Sequence, residues 1–136
     1  MYEVFEHTAD LGLRIIAATR DELFAEAGRG LLHVIVANPE AVRSTQSVEF
    51  HIPGEQLEYL LLDWLVELLF VFETQHLLLA DFVVRVGPEG LTATARGEPI
   101  DPARHQLDHE VKAVTYHGLK CEQALAGWQA EVILDI

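Results

Sequence analysis

The residues best suited to chemistry lie at the end of the chain. The sequence closes on Val132-Ile133-Leu134-Asp135-Ile136, and Glu110-Val111-Lys112-Ala113 precedes it by a short stretch. The Asp135 side chain and the α-carboxylate of Ile136 are adjacent anions. Two such groups need a counter-charge, and a hard divalent cation held through oxygen supplies one. The Lys112 ammonium is the other candidate: a surface hairpin with a Lys–carboxylate pair uses the same residues without a ligand. Further upstream, Asp10 sits just before Gly12 in a segment reading as a connection, where Asp commonly bonds its own backbone. His7 has no second histidine at metal-ligand spacing and reads as a hydrogen-bonded structural residue. Thr115, Tyr116 and His117 form a polar run within a strand pattern, where β-propensity alone explains Thr and Tyr. His117 beside Asp10 or Asp135 would make an acid–base pair, but no nucleophile or substrate cradle accompanies it. Asp63 and Glu67, four apart, read as the solvated or partner-facing stripe of a helix. His33, His51, His76 and His109 are scattered and take no role. The sequence carries no Gly-rich phosphate loop, no Cys cluster and no Gly-x-Ser-x-Gly elbow, so it gives no independent sign of nucleotide binding or covalent catalysis.

The elements that position these residues follow from periodicity. Residues 2–7 and 13–18 are short β-prone runs joined by residues 8–12. Thr19 with Glu22 three residues on forms a capping box, and Leu23, Phe24, Ala27, Leu31, Val34 and Ile35 continue at helical spacing. That helix should stop near Asn38-Pro39. Residues 47–52 alternate as a half-buried strand. A second helix follows, with Leu57, Leu60, Leu61, Trp64, Leu65, Leu68 and Phe72 on one broad face. Leu62, Val66, Leu69 and Phe70 widen the apolar surface almost all the way round, which predicts a helix covered on several sides. Residues 78–86 and 91–96 are strands across Gly87-Pro88-Glu89-Gly90, and residues 97–106 read as a loop. Residues 110–120 and 128–136 pair as an antiparallel hairpin, with Ala113 roughly opposite Ile136 and Lys112 beside the chain end. The expected class is α+β: about seven mainly antiparallel strands packed with two helices, in a single domain over residues 1–136.

Composition narrows the range of partners. Nine Lys+Arg against 22 Asp+Glu give a formal net charge of −13, which repels phosphate backbones and anionic lipid headgroups and suits a basic protein or a cation. Stable direct binding to nucleic acid or membrane is not expected. Half of the residues are hydrophobic, enough for one core without disulfides. The single Cys121 fits a reducing compartment, and the first residues lack the basic and apolar regions of a secretory signal, so the expected location is the cytoplasm.

Several motifs taken together carry a resemblance. His7-Thr8-Ala9-Asp10-Leu11-Gly12, LLLDWLVELLF over residues 60–70, GEPIDPARH over residues 97–105, EVKAVTYHGLK over residues 110–120 and VILDI over residues 132–136 resemble archease in kind, order and separation across essentially the whole chain. Archeases are small accessory proteins of the GTP-dependent ligase that joins RNA ends in tRNA splicing and repair. The resemblance implies an activator and not an enzyme: a protein cofactor that promotes guanylylation of the ligase and its multiple turnover. It further implies a divalent metal, calcium, held by Asp10, Asp135 and Ile136. Lys112 matches a position needed for stimulation, and His7 and His117 stand as neighbours of the metal site. A chaperone-like association with a tRNA-modifying methyltransferase is the alternative, and a divalent-metal-dependent hydrolase is the rival from another class. Leu11 where Ile is usual and Phe70 where Tyr is common are small departures that leave the implied site intact.

Overall fold

Alternation of apolar and polar side chains along the strands decides which face each turns inward. In the computed structural model, which describes residues 1–7 and 10–136, β1 is Tyr2–His7 and β2 is Asp10–Ala17. Leu11, Leu13, Ile15 and Ala17 of β2 are buried while Arg14 and Ile16 turn outward. Asp10, Leu11 and Gly12 of the expected connection are thus already strand, and its Thr8 and Ala9 lie outside the described residues. Helix α1 is Arg20–Ile35, β3 Gln46–Pro53, α2 Leu57–Gln75, β4 Leu77–Gly87, β5 Gly90–Pro99, β6 Ala113–Ala124 and β7 Gly127–Asp135. Among the described residues this gives the expected α+β class, with seven strands and two α-helices. The strands form two antiparallel sheets, one ordered β1-β2-β7-β6 and one ordered β3-β5-β4.

The helices join the sheets. Helix α1 packs on β2 and on β4, and α2 packs on β6 and on β4, so both elements touch both sheets. Trp64 of α2 is fully buried at the centre, its indole N–H donating to the Phe24 carbonyl of α1 at 2.8 Å. Its ring meets Phe50 of β3 and Phe82 of β4 edge-on, with centroids at 5.2 and 6.0 Å. Each buried Leu, Ile or Phe contributes about 1.5–3 kcal/mol, against about 0–1 kcal/mol for an exposed ion pair. The core therefore dominates the stability.

Three local outcomes differ from the periodicity. At the start of α1 the Thr19 hydroxyl accepts the Glu22 N–H at 3.1 Å as expected, whereas the Glu22 carboxylate pairs with Arg29 at 2.9 Å. Helix α1 ends at Ile35, three residues before Asn38, because the chain beyond it is captured by a distant segment. Val36 bridges Leu107, the Ala37 N–H donates to the Gln106 carbonyl at 2.7 Å, and the Asn38 side chain bonds the Arg104 carbonyl and the Gln106 N–H. Helix α2 is not covered all round: Val66 and Phe70 stay exposed together with Tyr59. No helix among the described residues is long and apolar enough to cross a membrane.

Candidate metal and partner-activation site

Pairing of β2 with β7 brings Asp10 directly opposite Asp135. Facing residues on antiparallel strands hold their Cβ atoms about 4.5–5.5 Å apart, and like charges there repel. Both side chains are partly exposed. Neither acid is followed by a residue that neutralises the pair. The Lys112 N–H donates to the Asp135 carbonyl at 2.7 Å, which fixes the backbone of Lys112 beside the acids. Its side chain is exposed and forms no ion pair among the described residues, whereas Asp10 has His7 at 3.8 Å. A plain Lys–carboxylate hairpin is therefore not what forms. Ala113 faces Asp135 and not Ile136, one residue from the expected register, and the strand begins at Ala113 instead of residue 110. Lys112 nevertheless lies where the hairpin placed it.

His7 and His117 complete the neighbourhood. The His7 Nδ1 atom is buried, has no hydrogen-bond partner among the described residues, and stands 3.8 Å from an Asp10 carboxylate oxygen. That separation is too long for a hydrogen bond. The His117 ring lies 5.4 Å from the His7 ring, centroid to centroid. An irregularity in β6 puts it there. Residues 116–119 oppose a single residue of β7, Val132, between the Thr115–Ile133 and Lys120–Glu131 pairs. Gly118 supplies the left-handed turn this needs, with φ of +64°. The Thr115 hydroxyl stitches the near side, donating to the Ile133 carbonyl at 3.0 Å and accepting the His117 N–H at 3.3 Å.

Sequence reasoning missed a second polar cluster. Glu98 and His105, from the stretch read as a loop, are both buried. Strand β5 runs on to Pro99, so Glu98 is strand and faces the returning chain. Its carboxylate accepts the Arg43 N–H at 2.7 Å, the Arg104 guanidinium, and the His105 Nε2–H at 3.0 Å. His105 Nδ1 accepts the Asp101 N–H at 2.8 Å, which assigns the ring proton to Nε2. Burial pushes the Glu98 carboxyl up, but the hydrogen bonds from Arg104, Arg43 and His105 outweigh it and hold the group down at about 2. This clamp fixes the chain between β5 and β6, and hence the approach to Lys112. The signal for it was the grouping of Glu98, Arg104 and His105 with two prolines in so short a stretch.

Among the described residues no three His, Cys, Asp or Glu side chains converge as a metal cluster. A cation here would be held by the two facing carboxylates with main-chain oxygen from Ile136. The donor set is all oxygen, which suits a hard divalent ion, and two facing carboxylates whose ion-pair contact among the described residues is His7 at 3.8 Å fit such an ion.

Fold and site together define a small, acidic, two-sheet α+β protein with a carboxylate pair at the ends of two adjacent strands. The sequence pattern of the Archease protein family (MTH1598/TM1083) matches residues 2–136. The chain is 41% identical over 139 residues to protein archease of Methanopyrus kandleri, covering 99% of both chains, and 37% identical over 140 residues to that of Pyrococcus furiosus, covering 99% of this chain and 98% of the relative. The solution structure of Methanobacterium thermoautotrophicum protein 1598 superposes with a TM-score of 0.88 at 33% identity, over 99% of this chain and 98% of that one. A Thermotoga maritima crystal structure described as an archease and possible chaperone gives 0.70 at 26% identity, over 100% and 98%. The chain belongs to the archease family.

Proposed function

We propose that this chain is a metal-binding accessory protein that activates the GTP-dependent tRNA-splicing and RNA-repair ligase, promoting its guanylylation and multiple turnover. The observation that supports this reading is the direct opposition of Asp10 and Asp135 with the Lys112 backbone bonded beside them. Calcium held by Asp10, Asp135 and Ile136 would neutralise the acid pair and place a positive centre at the protein surface. The Lys112 ammonium, exposed and unpaired among the described residues, extends that positive point outward from an otherwise acidic molecule. Together they suit a partner active site that handles phosphate. His7 stands beside the Asp10 carboxylate, and His117 packs against His7. GTP belongs to the ligase. An activator speeds a step by stabilising its transition state or by raising the population of the competent state, and a cation presented at the partner's active site serves either route.

Ligase, GTP and RNA ends are incubated with and without the protein, and ligation is followed over many turnovers. Stimulation by the native chain, lost in Asp10→Ala, Asp135→Ala and Lys112→Ala variants that keep their circular dichroism, is the expected result. Unchanged ligase turnover with the native chain overturns the reading. Substrate turnover by this protein alone with added divalent ion would favour the hydrolase instead.

A further inference from the structure

Helix α2 is apolar nearly all round, yet one of its faces remains open. Tyr59, Val66 and Phe70 are 52, 44 and 57% exposed. Their spacing of seven and four residues places them along one stripe of the helix, about 17 Å long at 1.5 Å per residue. Tyr116 of β6, 66% exposed, extends the stripe: its ring stands 6.0 Å from that of Tyr59 in an edge-to-face arrangement. A shallow groove runs between the two tyrosines, lined also by Gln56, Glu58 and Leu119. Exposed side chains of this size in a row mark an interaction site more often than scattered single ones do.

Charge identifies the occupant. Asp63, exposed, sits within the stripe between Tyr59 and Val66; Glu58, Glu67 and Glu73 flank it, and α2 itself carries no Lys or Arg. A second copy would set acid against acid, and RNA or an anionic membrane would be repelled in the same way. The surface that fits is a protein patch with apolar residues at its centre and Lys or Arg around its edge. The stripe also reaches β6, where Tyr116 immediately precedes His117, whose ring packs 5.4 Å from His7.

We infer that the exposed stripe of α2, with Tyr116, is the docking face for a basic-rimmed apolar patch on the ligase. This inference rests on the function proposed above. Tyr59, Val66 and Phe70 supply the buried anchor of the contact and the four acids supply its steering and register.

The test measures binding of purified ligase to the native chain and to a Val66→Lys/Phe70→Lys variant by calorimetry, with multiple-turnover ligation run in parallel. The expected result is at least tenfold weaker binding by the variant, with an unchanged melting temperature and an unchanged calcium-induced rise in it. Should the lysines disturb the fold, Val66→Ser/Phe70→Ser is used and the same tenfold loss is expected. Binding by a folded variant within twofold of the native chain overturns the docking face, while the proposed function stands if the native chain still stimulates. Failure of the native chain both to bind and to stimulate overturns the function and the docking face together. Loss of stimulation in Asp10→Ala with binding retained supports two separate surfaces, one for docking and one for activation.

Discussion

Asp10 and Asp135 face each other on paired strands at a cost of up to about 1 kcal/mol when nothing lies between them. Asp135→Asn is therefore expected to raise stability slightly in chelator, and, under the proposed function, to abolish any stabilisation by calcium. A site that binds calcium would add about 2.7 kcal/mol to the native chain at about a hundred times the dissociation constant. Thermal melts of both proteins with calcium and with chelator check this; a less stable variant in chelator would contradict the repulsion argument. Glu98 gives a prediction in pH. Its folded pKa of about 2 lies below the ordinary 4.5, so its stabilising contribution is complete above about pH 4.5 and declines as pH falls toward 2. Urea unfolding across that window should show stability falling with acid, and Glu98→Gln should be less stable at neutral pH with a flatter acid limb. Cys121 is buried, and burial together with Glu58 pushes its thiol up to about 11. It should react with iodoacetamide at pH 8 far more slowly in the native protein than in denaturant, as followed by mass spectrometry.

At the scale of elements, Trp64 ties α2 to α1 through the Phe24 carbonyl and wedges between Phe50 and Phe82. Trp64→Phe removes the donor and part of the volume and should cost about 1–3 kcal/mol, read from the urea midpoint. Gly118→Ala places a side chain at φ of +64° with open space around it, so only backbone strain of about 1–2 kcal/mol is expected. Much of this architecture was legible because it is written locally: Thr19 at its cap, alternation in β2 and β7, Gly87 and Gly90 flanking a tight hairpin. The closing hairpin also disclosed Asp135, Ile136 and Lys112 as neighbours. Asp10 was readable as a partner only through family resemblance, because the β2–β7 pairing joins distant stretches and neither strand encodes its mate. The end of α1 was misplaced for the same reason, since Gln106 and Leu107 terminate it from far along the chain. The one-residue error at Ala113 is the net of surplus residues in β6, which no alternation pattern announces, and of a turn that lies further along the chain than an Ala113–Ile136 pairing implies. Helix α2 misled because its composition says apolar on every side, and composition does not say whether the protein itself or another covers the last face.

The whole molecule carries a net charge of −13, and this sets two responses to salt of opposite sign. Screening relieves self-repulsion, so the melting temperature should rise from low salt to about 0.15 M, where charges separated by more than about 8 Å are largely shielded. The same screening should slow association with a basic partner, visible as a lower on-rate at an unchanged melting curve. Strand order has a further consequence. In the four-stranded sheet β7 lies inside, between β2 and β6, although it is the last strand in sequence. During synthesis β2 therefore waits, its inner edge open, until β7 at Gly127–Asp135 has left the ribosome. Non-local pairing of this kind closes late and slowly. The two aspartates meet only once that insertion has taken place, so a chain cut before β7 keeps Asp10 but loses the carboxylate that faces it.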